Sequence, residues 1–386
     1  MIQKQKQVKE RNSAIELLRI ITMVMIIFHH FSLHGGFEFS SVSVNLFWYN
    51  FIVIGGKIGV NVFIIISGYH LISNDKRIFD LTRIAKFWGQ VFFYSIAIYL
   101  VFGLTGVSEL KGKALVEALL PITFSEWWFA SGYFVLYLLH PFLNKLLRSL
   151  DKALYQKLIL LLVVCWCIIP TVTTSAYEGN ALLWFITLYT IAGYIRLHGL
   201  NEKFTTKHYV LFLLISVLIS YGATSVIAVV SVTRGGVASN SPYLYGQEKI
   251  TTLAISLSLF MVFATMKMKH HRWINVIAST TFGIYLLHDH DVTRAFLWES
   301  VFKNALYQGS WLLIPYSIMA VAIVFVIGAG IDLIRQMAVE KPFMLLARYV
   351  SNKKITPFGR LGRALKKFFF GEQGENLAQN NEEKER

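Results

Sequence analysis

The first long apolar segment of the chain contains an unusual group of ionisable side chains. Glu16, Arg19, His29 and His30 lie within this segment, and His34 lies at its outer end. Ionisable groups are costly to place in an apolar environment, so they indicate a functional site by default. A histidine titrates near neutral pH and can transfer protons, and an arginine can bind an anionic group. These residue types therefore predict proton transfer and anion binding.

Helical spacing relates two of these residues to each other. Arg19 and His30 are eleven residues apart, which brings their directions to within about 20° of one another at ~100° per residue. Their separation along the axis is about 16.5 Å at ~1.5 Å per residue. His29 points about 100° away from this face, so the spacing favours His30 over its neighbour. In the alternative interpretation Arg19 reaches the lipid headgroups, Glu16 pairs with it, and the histidines only bond neighbouring helices.

The composition indicates which elements must position these side chains. Of 386 residues, 55% are hydrophobic and 15% are charged, whereas a soluble domain carries about 25% charge. This excludes an ordinary soluble enzyme. The hydrophobic residues fall in blocks of roughly 20, long enough to cross a hydrocarbon core of about 30 Å. We therefore expect an all-α, polytopic integral membrane protein.

The hydrophobic blocks predict about ten transmembrane helices. A further stretch, 114–123, is too short to span, and the ninth block is interrupted by Ser279, Thr280 and Thr281. The predicted spans are 14–34, 50–73, 84–104, 127–147, 158–176, 180–198, 209–232, 250–268, 273–290 and 310–334.

The lysines and arginines orient these spans. With a cytoplasmic N-terminus, 29 of the 37 lie in cytoplasmic segments, 6 lie in external loops, and Arg19 and Lys57 are embedded. Cytoplasmic loops carry such an excess, so both termini are predicted to be cytoplasmic. The net charge of +15 then reflects topology and not a nucleic-acid partner.

Three parts of the chain differ in composition. Residues 11–335 are predicted to form the transmembrane domain, with a retained first helix and not a cleaved signal peptide. Residues 336–371 form a basic cytoplasmic or interfacial segment, whose Leu/Phe face at 360–370 is expected to lie on anionic lipid. Residues 372–386 are a polar tail predicted to be disordered.

Four ordered motifs resemble the membrane-bound acyltransferase-3 family, which O-acylates cell-surface and exported glycans. The spacing of Arg19 and His30 matches this family's hallmark of a basic residue, ten residues and a histidine. The resemblance extends from residue 11 to about 335. The motifs are R-N-S-A-I-E-L-L-R-I-I-T-M-V-M-I-I-F-H-H (11–30), G-V-N-V-F-I-I-I-S-G-Y (59–69), W-W-F-A-S-G-Y-F-V-L-Y-L-L-H-P-F-L-N (127–144) and F-G-I-Y-L-L-H (282–288).

The resemblance implies roles for individual residues. His30 would be catalytic, and Arg19, Arg83 and Lys86 would hold the phosphates of cytoplasmic acyl-CoA. Two departures stand out: the family's basic pair is often Arg-x-x-Arg, so Lys86 replaces a guanidinium, and His140 replaces a small or polar residue. Acceptor-side or supporting roles are expected for Glu16, Ser67, Tyr69, Glu126, Trp128 and His288.

The chemistry of His30 has two alternatives. It could act as the general base that deprotonates a sugar hydroxyl, or it could carry the acyl group covalently. Glu126 and Asp289 are candidate partners that would orient it. We expect no metal, because Cys165 and Cys167 lie in an apolar run and the H-D-H-D sequence at 288–291 lacks a helical i,i+4 pair. No cofactor is expected to be bound permanently, and acetyl-CoA or another acyl-CoA would be a co-substrate.

The simpler alternative for the remaining residues is structural. Arg83 and Lys86 fit a basic cytoplasmic loop, Ser67 and Tyr69 fit helix packing, and Trp128 fits an interfacial aromatic belt.

The leading function is therefore transfer of an acyl group, most readily acetyl, to a glycan at the outer face of a bacterial cytoplasmic membrane. Its partners would be the lipid bilayer, the glycan acceptor and acyl-CoA, with no nucleic acid. The alternatives are a secondary transporter or flippase for a glycan or its precursor, and a non-catalytic assembly protein. Transporters often show internal repeats or paired broken helices, and neither is evident in the sequence.

Overall fold

A computed structural model of the chain describes residues 11–73, 80–110, 112–173, 175, 179–236 and 243–352. The described residues form helices joined by short loops, without strands, so the all-α prediction is confirmed. Within these ranges, seven helices are long and apolar enough to cross a membrane. They are Ser13–Leu33, Val44–Leu71, Leu81–Leu104, Lys152–Thr173, Ala181–His198, Thr206–Thr233 and Leu313–Leu346.

Several of these helices contain internal breaks, so the α-helices are numbered individually. They are α1 (Ser13–Leu33), α2 (Val44–Val53), α3 (Gly55–Leu71), α4 (Leu81–Leu104), α5 (Gly112–Leu119), α6 (Trp128–Ser149), α7 (Lys152–Val163), α8 (Ile169–Thr173), α9 (Ala181–His198), α10 (Thr206–Thr233), α11 (Ile250–Thr265), α12 (Arg272–Ala278), α13 (Thr281–His288), α14 (Asp291–Ala295), α15 (Leu313–Arg335) and α16 (Lys341–Asn352). One-turn π-helical segments join α7 to α8 and α15 to α16.

The predicted ninth span, 273–290, is not one continuous helix. It divides into α12 and α13, and the break falls at Ser279 and Thr280. Their hydroxyls donate to the carbonyls of Val276 and Ile277, both at 2.7 Å. Such local bonds compete with the helical ladder. The number of ten spans and the cytoplasmic position of both termini stay predictions.

Other predicted spans form helices with different bounds. The second begins at Val44 and not at 50, because the Ser43 hydroxyl caps it by accepting from the Leu46 amide. The last continues beyond 334 into α16. The eighth forms α11, which has only 16 residues. The interfacial stretch 360–370 and the polar tail 372–386 lie outside the described residues.

Helix α1 lies in the interior of the helix bundle. It contacts α2, α3, α11, α12, α13 and α15. Glycines bring α3 especially close: a Cβ at Gly56 would lie 2.2 Å from His29 Cγ, and one at Gly59 would lie 2.7 Å from Ile26. Because Gly56 meets the later residue of α1 and Gly59 the earlier one, the two helices are antiparallel. Small residues permit this close approach, which fixes α1 against α3.

Candidate active site

Arg19 and His30, which the helical spacing predicts to face the same way, lie on one face of α1. Arg19, Met23, Ile26 and His30 recur at intervals of three or four residues, so they share one face of a continuous helix. The first three line a mainly apolar cavity of about 220 Å³. His30 lies one helical turn beyond Ile26. The geometry therefore has Arg19 and His30 facing the same way, as the spacing predicts.

A larger, basic pocket opens at the Arg19 end of the bundle. It has a volume of about 750 Å³. Arg19, Thr281 and Phe282 line both this pocket and the apolar cavity, so the two spaces adjoin. The arginines and lysines of the pocket are Arg11, Arg19, Arg83, Lys86 and Arg196. All three predicted donor-binding residues therefore face one space.

Arg19 has an incompletely satisfied guanidinium group. Its Nε is buried and has no hydrogen-bond partner among the described residues. Glu16 lies 3.8 Å from that atom, which is an ion-pair distance and longer than a hydrogen bond. A buried donor without a partner is costly. An anion in the basic pocket would bind the guanidinium group, and a small rotation of the side chain would bring Nε to it as well.

The two other predicted donor residues have carboxylate partners. Arg83 Nε lies 3.1 Å from Asp80, and both side chains are largely accessible to solvent. Lys86 Nζ lies 2.5 Å from Glu340. Glu340 lies in the π-helical turn between α15 and α16, far along the chain from Lys86. An incoming phosphate would compete with these carboxylates.

Two predicted supporting residues lie near this end. Ser67 lines the apolar cavity, and its hydroxyl donates to the Phe63 carbonyl at 2.9 Å. Tyr69 lines the basic pocket, where its hydroxyl accepts from Arg196 at 3.2 Å. The Arg196 guanidinium also lies 5.0 Å from the centroid of the Tyr69 ring. Tyr69 thus orients one of the cations.

His30 has two close partners beyond the other end of the cavity. Its Nδ1 lies 2.9 Å from His288 Nε2, and its Nε2 lies 3.4 Å from Asp289 Oδ1. Both partners come from the end of α13, where His288 is 1% exposed and Asp289 is 4% exposed. The predicted supporting residue His288 therefore contacts the predicted catalytic one.

The hydrogen bonds define where the protons lie on these rings. His288 Nδ1 is 2.6 Å from the Ile284 carbonyl. A carbonyl only accepts, so Nδ1 carries the proton and, in the neutral ring, Nε2 is an acceptor. His30 Nδ1 must then donate to it, which leaves the lone pair of neutral His30 on Nε2. The atom free to take a proton is the one that faces Asp289.

Of the two candidate carboxylates, Asp289 and not Glu126 lies beside His30. Glu126 accepts a hydrogen bond from Ser95 at 2.5 Å and lies 3.9 Å from His290. Asp289 is in turn held by Arg294, whose Nη1 is 3.2 Å from Oδ1. An imidazolium formed at His30 would therefore gain a nearby negative charge.

His29 and Trp128 have contacts away from this cluster. The ring of His29 packs on Gly56, and its Nδ1 donates to the Val53 carbonyl at 2.6 Å. The Lys57 ammonium lies 4.8 Å from the centroid of the Trp128 ring. His29 thus bonds the last residue of α2, and Trp128 contacts the Lys57 ammonium on α3.

His30, His34 and Asp289 present ligand atoms within 4.8 Å of one another. Such a group has the donor types of a metal site. Arg294 already pairs with Asp289 at 3.2 Å and would repel a divalent cation. The arrangement therefore fits a hydrogen-bonded histidine better than a metal ion.

A second buried charge cluster was missed by the sequence analysis. Asp332 is 0% exposed and accepts from Tyr94 at 2.8 Å and from Arg335 at 2.7 Å. Arg335 also donates to Glu340 at 2.8 Å, and Glu340 pairs with Lys86. The signal was present, since Asp332 is an ionisable residue inside the predicted last span. This chain of contacts extends from the basic pocket into the bundle.

The fold and the site define the class of protein: a multi-pass helical membrane protein with a buried histidine cluster beyond an apolar cavity. The family model described as an acyltransferase domain matches residues 12–329. The chain belongs to this family, acyltransferase-3, and is an acyltransferase, as the ordered motifs predict. No curated protein and no solved structure matches the chain significantly.

Proposed function

We propose that the protein transfers an acyl group, most readily acetyl, from cytoplasmic acyl-CoA to a hydroxyl of a cell-surface or exported polysaccharide. The observation that carries this proposal is the single face of α1. It begins in a pocket of five cationic side chains, follows an apolar cavity, and ends at His30. An anionic carrier with a long, narrow arm and a reactive end fits this arrangement.

The charges and the distance support acyl-CoA as the donor. Its nucleotide phosphates would lie among Arg19, Arg83 and Lys86, where charge-assisted bonds are strong. Its extended arm would follow the apolar cavity. The axial distance of about 16.5 Å from Arg19 to His30 suits that arm. Arg19 would bind one of these phosphates through its guanidinium group, whose Nε has no hydrogen-bond partner among the described residues.

His30 acts as the general base in this proposal. Nε2 accepts the proton of the acceptor hydroxyl while the oxygen attacks the thioester carbonyl and the CoA thiolate leaves. Asp289 stabilises the imidazolium, and His288 holds the ring through Nδ1. Acyl transfer through His30 itself is the alternative route, and it would leave a labelled protein on mixing with acyl-CoA alone.

The acceptor approaches the His30 end from outside the cell in this proposal. Ten spans with both termini cytoplasmic put the basic pocket in the cytoplasm and His30 in the outer half of the membrane. This matches the origin of the two substrates, since acyl-CoA is cytoplasmic and the polysaccharide is exported. The location in this proposal is the cytoplasmic membrane of a bacterium.

The test compares two adjacent histidines. Membranes containing wild-type protein, His30→Ala or His29→Ala are supplied with acetyl-CoA and polysaccharide from cells lacking the gene, and the acyl content of the glycan is measured by mass spectrometry. We expect His30→Ala to abolish transfer at normal protein abundance. His29→Ala should lower abundance, because Val53 loses its donor, but should retain transfer per folded molecule.

The same variants, expressed in cells lacking the gene, separate an acyltransferase from a transporter or flippase through the amount and the acyl content of the exported glycan. Loss of acyl groups from an unchanged amount of exported glycan supports the proposal. Loss of exported glycan with an unchanged acyl content per sugar would support transport instead. Equal activity of the two histidine variants would reject the role of His30.

A further inference from the structure

A separate cavity of about 300 Å³ lies at the same end of the bundle as His30. We call it the tryptophan cavity. It is formed where α8 ends and where α9 and α11 begin. Its lining includes Trp166, Asn180, Trp184, Gln247, Glu248 and Lys249.

Two buried donors of residues that line this cavity have no hydrogen-bond partner among the described residues. Trp166 Nε1 and Gln247 Nε2 are both inaccessible to solvent and make no hydrogen bond to any described residue. Buried donors are rarely left unpaired, because each costs the free energy of its lost hydration. Both side chains line the cavity, so a small rotation of either would bring its N–H to a ligand that offers oxygen acceptors. The indole rings of Trp166 and Trp184 add flat apolar surface.

The charge in the cavity is already balanced. Lys249 Nζ donates to the Pro170 carbonyl at 2.7 Å and lies 3.4 Å from Glu248. Its side chain is 8% exposed, so it is held within the structure and is not available to a phosphate or carboxylate. An uncharged ligand with several hydroxyls therefore fits better than an anion.

Trp166 lies in an irregular turn of the helix. It lies in the π-helical segment Val164–Ile168, between α7 and α8. Pro170 follows four residues later and has no N–H to bond the Trp166 carbonyl, which favours a wider turn here. Such single π-helical turns occur frequently at functional sites.

Helix α3 carries residues near both the tryptophan cavity and the end of α1 that holds His30. Asn61 accepts from Trp184 Nε1 at 3.0 Å and donates to the Gln247 carbonyl at 2.9 Å. One helical turn earlier is Lys57, which follows Gly56, the glycine that packs against His29 of α1. Helix α3 therefore lies beside both the tryptophan cavity and the end of α1 that carries His30.

We infer that the tryptophan cavity binds a neutral sugar ring of the acceptor glycan, adjacent to the ring that is acylated. This inference rests on the proposed function. The volume of about 300 Å³ is at the lower end of the range for ligand pockets, roughly 300–1,000 Å³, which suits a single ring. The cavity would therefore select chains of two or more sugars over single sugars.

The test uses two acceptors and two substitutions. The probes are neutral oligosaccharides released from the polysaccharide of cells lacking the gene, and single sugars from the same hydrolysate, each assayed with acetyl-CoA. Gln247→Leu and Trp166→Leu should each raise the KM for the oligosaccharides roughly 2- to 10-fold, the effect of one net hydrogen bond. The kcat, the KM for acetyl-CoA and the KM for single sugars should stay near wild type.

Trp311→Leu is the matched control, because Trp311 is 82% exposed and does not line the tryptophan cavity. It should leave every constant unchanged. If both cavity variants retain the wild-type KM for oligosaccharides, the inference is wrong. An equal rise for single sugars and for acetyl-CoA would also overturn it, since that pattern reports general damage. Failure of the proposed function is distinct, because wild-type protein would then acylate neither acceptor.

Discussion

At the scale of residues, the two partners of His30 have different chemical roles. His288 bonds Nδ1 and so fixes which nitrogen of His30 is available to take a proton. Asp289 lies on the other side, at 3.4 Å from Nε2, where charge would develop during proton transfer. Loss of the first contact would alter the ring's orientation, whereas loss of the second would remove a charge.

Asp289→Asn tests the role of the charge. The amide keeps the size of the side chain and removes its negative charge, so the imidazolium is no longer stabilised. A hydrogen bond to a charged group contributes about 1.5–3 kcal/mol, so we expect kcat to fall roughly 10- to 150-fold with little change in KM. Steady-state acyl transfer in membranes measures both constants.

Asp291→Asn is its control. Asp291 contacts the same arginine, Arg294, but its side chain is 78% exposed. Exposed ion pairs contribute little, at about 0–1 kcal/mol. An effect on kcat as large as that of Asp289→Asn would show that Arg294, and not the buried carboxylate, carries the activity.

Arg19→Lys tests the donor pocket. The ammonium retains a positive charge but lacks the Nε–H and the planar fork of the guanidinium. We expect the KM for acetyl-CoA to rise roughly 10- to 150-fold, the worth of one charge-assisted hydrogen bond of about 1.5–3 kcal/mol. Arg83 and Lys86 variants should act in the same direction but more weakly, since both side chains are more than half exposed. A defect confined to the glycan acceptor would reject the donor role.

Sequence spacing could place Arg19 and His30 on one face because both lie on one helix. It could not choose between Glu126 and Asp289. The pairing of His30 with His288 joins residues 258 positions apart, and that contact depends on how α13 packs against α1. Local periodicity contains no information on packing between distant helices.

At the scale of elements, hydrophobic length predicted most helices but not their interruptions. A hydropathy window cannot detect the break at Ser279 and Thr280, which comes from two hydroxyl-to-carbonyl bonds. It also cannot detect the continuation of α15 through a π-helical turn into α16. In both places local hydrogen bonding, and not hydrophobicity, decides where a helix ends.

Gly59→Ala tests the close contact of α1 with α3. The added methyl would lie 2.7 Å from Ile26 Cγ1 and 2.9 Å from the Thr22 carbonyl, so the helices must separate. We expect a loss of about 1–3 kcal/mol in stability, the usual cost of overpacking. Thermal unfolding in detergent, followed by loss of the monodisperse peak in gel filtration, measures it.

Gly222→Ala provides the comparison. Gly222 is also a helical glycine, in α10, but a Cβ there meets no atom within 4 Å. Alanine favours helix over glycine by about 1 kcal/mol, so this variant should be as stable as the wild type or slightly more so. Equal destabilisation of the two variants would show that the contact with α1 is not the cause.

Asp332→Ala tests the missed charge cluster. It leaves Arg335, which is 4% exposed, without its closest carboxylate. Breaking a buried ion pair costs about 3–5 kcal/mol, and because Arg335 keeps its bond to Glu340, we expect a loss of stability near the lower end of that range by the same assay. The double substitution Asp332→Leu and Arg335→Met should recover much of this loss, because no unpaired charge remains. No recovery would mean that the cluster does not act as a pair.

At the scale of the whole molecule, the distribution of lysine and arginine predicts how the bundle lies in the membrane. Reporter fusions after residues 40, 178 and 240 should give external signals. Fusions after 78, 150, 202 and 345 should give cytoplasmic ones. An external signal after residue 345 would reverse the sides assigned to the two substrates.

Helix α1 also sets a fixed length between Arg19, the proposed donor anchor, and His30, the proposed general base. One inserted residue between Arg19 and His30 would turn the imidazole by about 100° and lengthen the interval by about 1.5 Å. Packing against Gly56 and Gly59 prevents the helix from rotating to compensate. The ten intervening side chains can therefore vary in identity within the limits of packing, but their number cannot change. The helix therefore fixes both the distance and the relative direction of an arginine and a histidine.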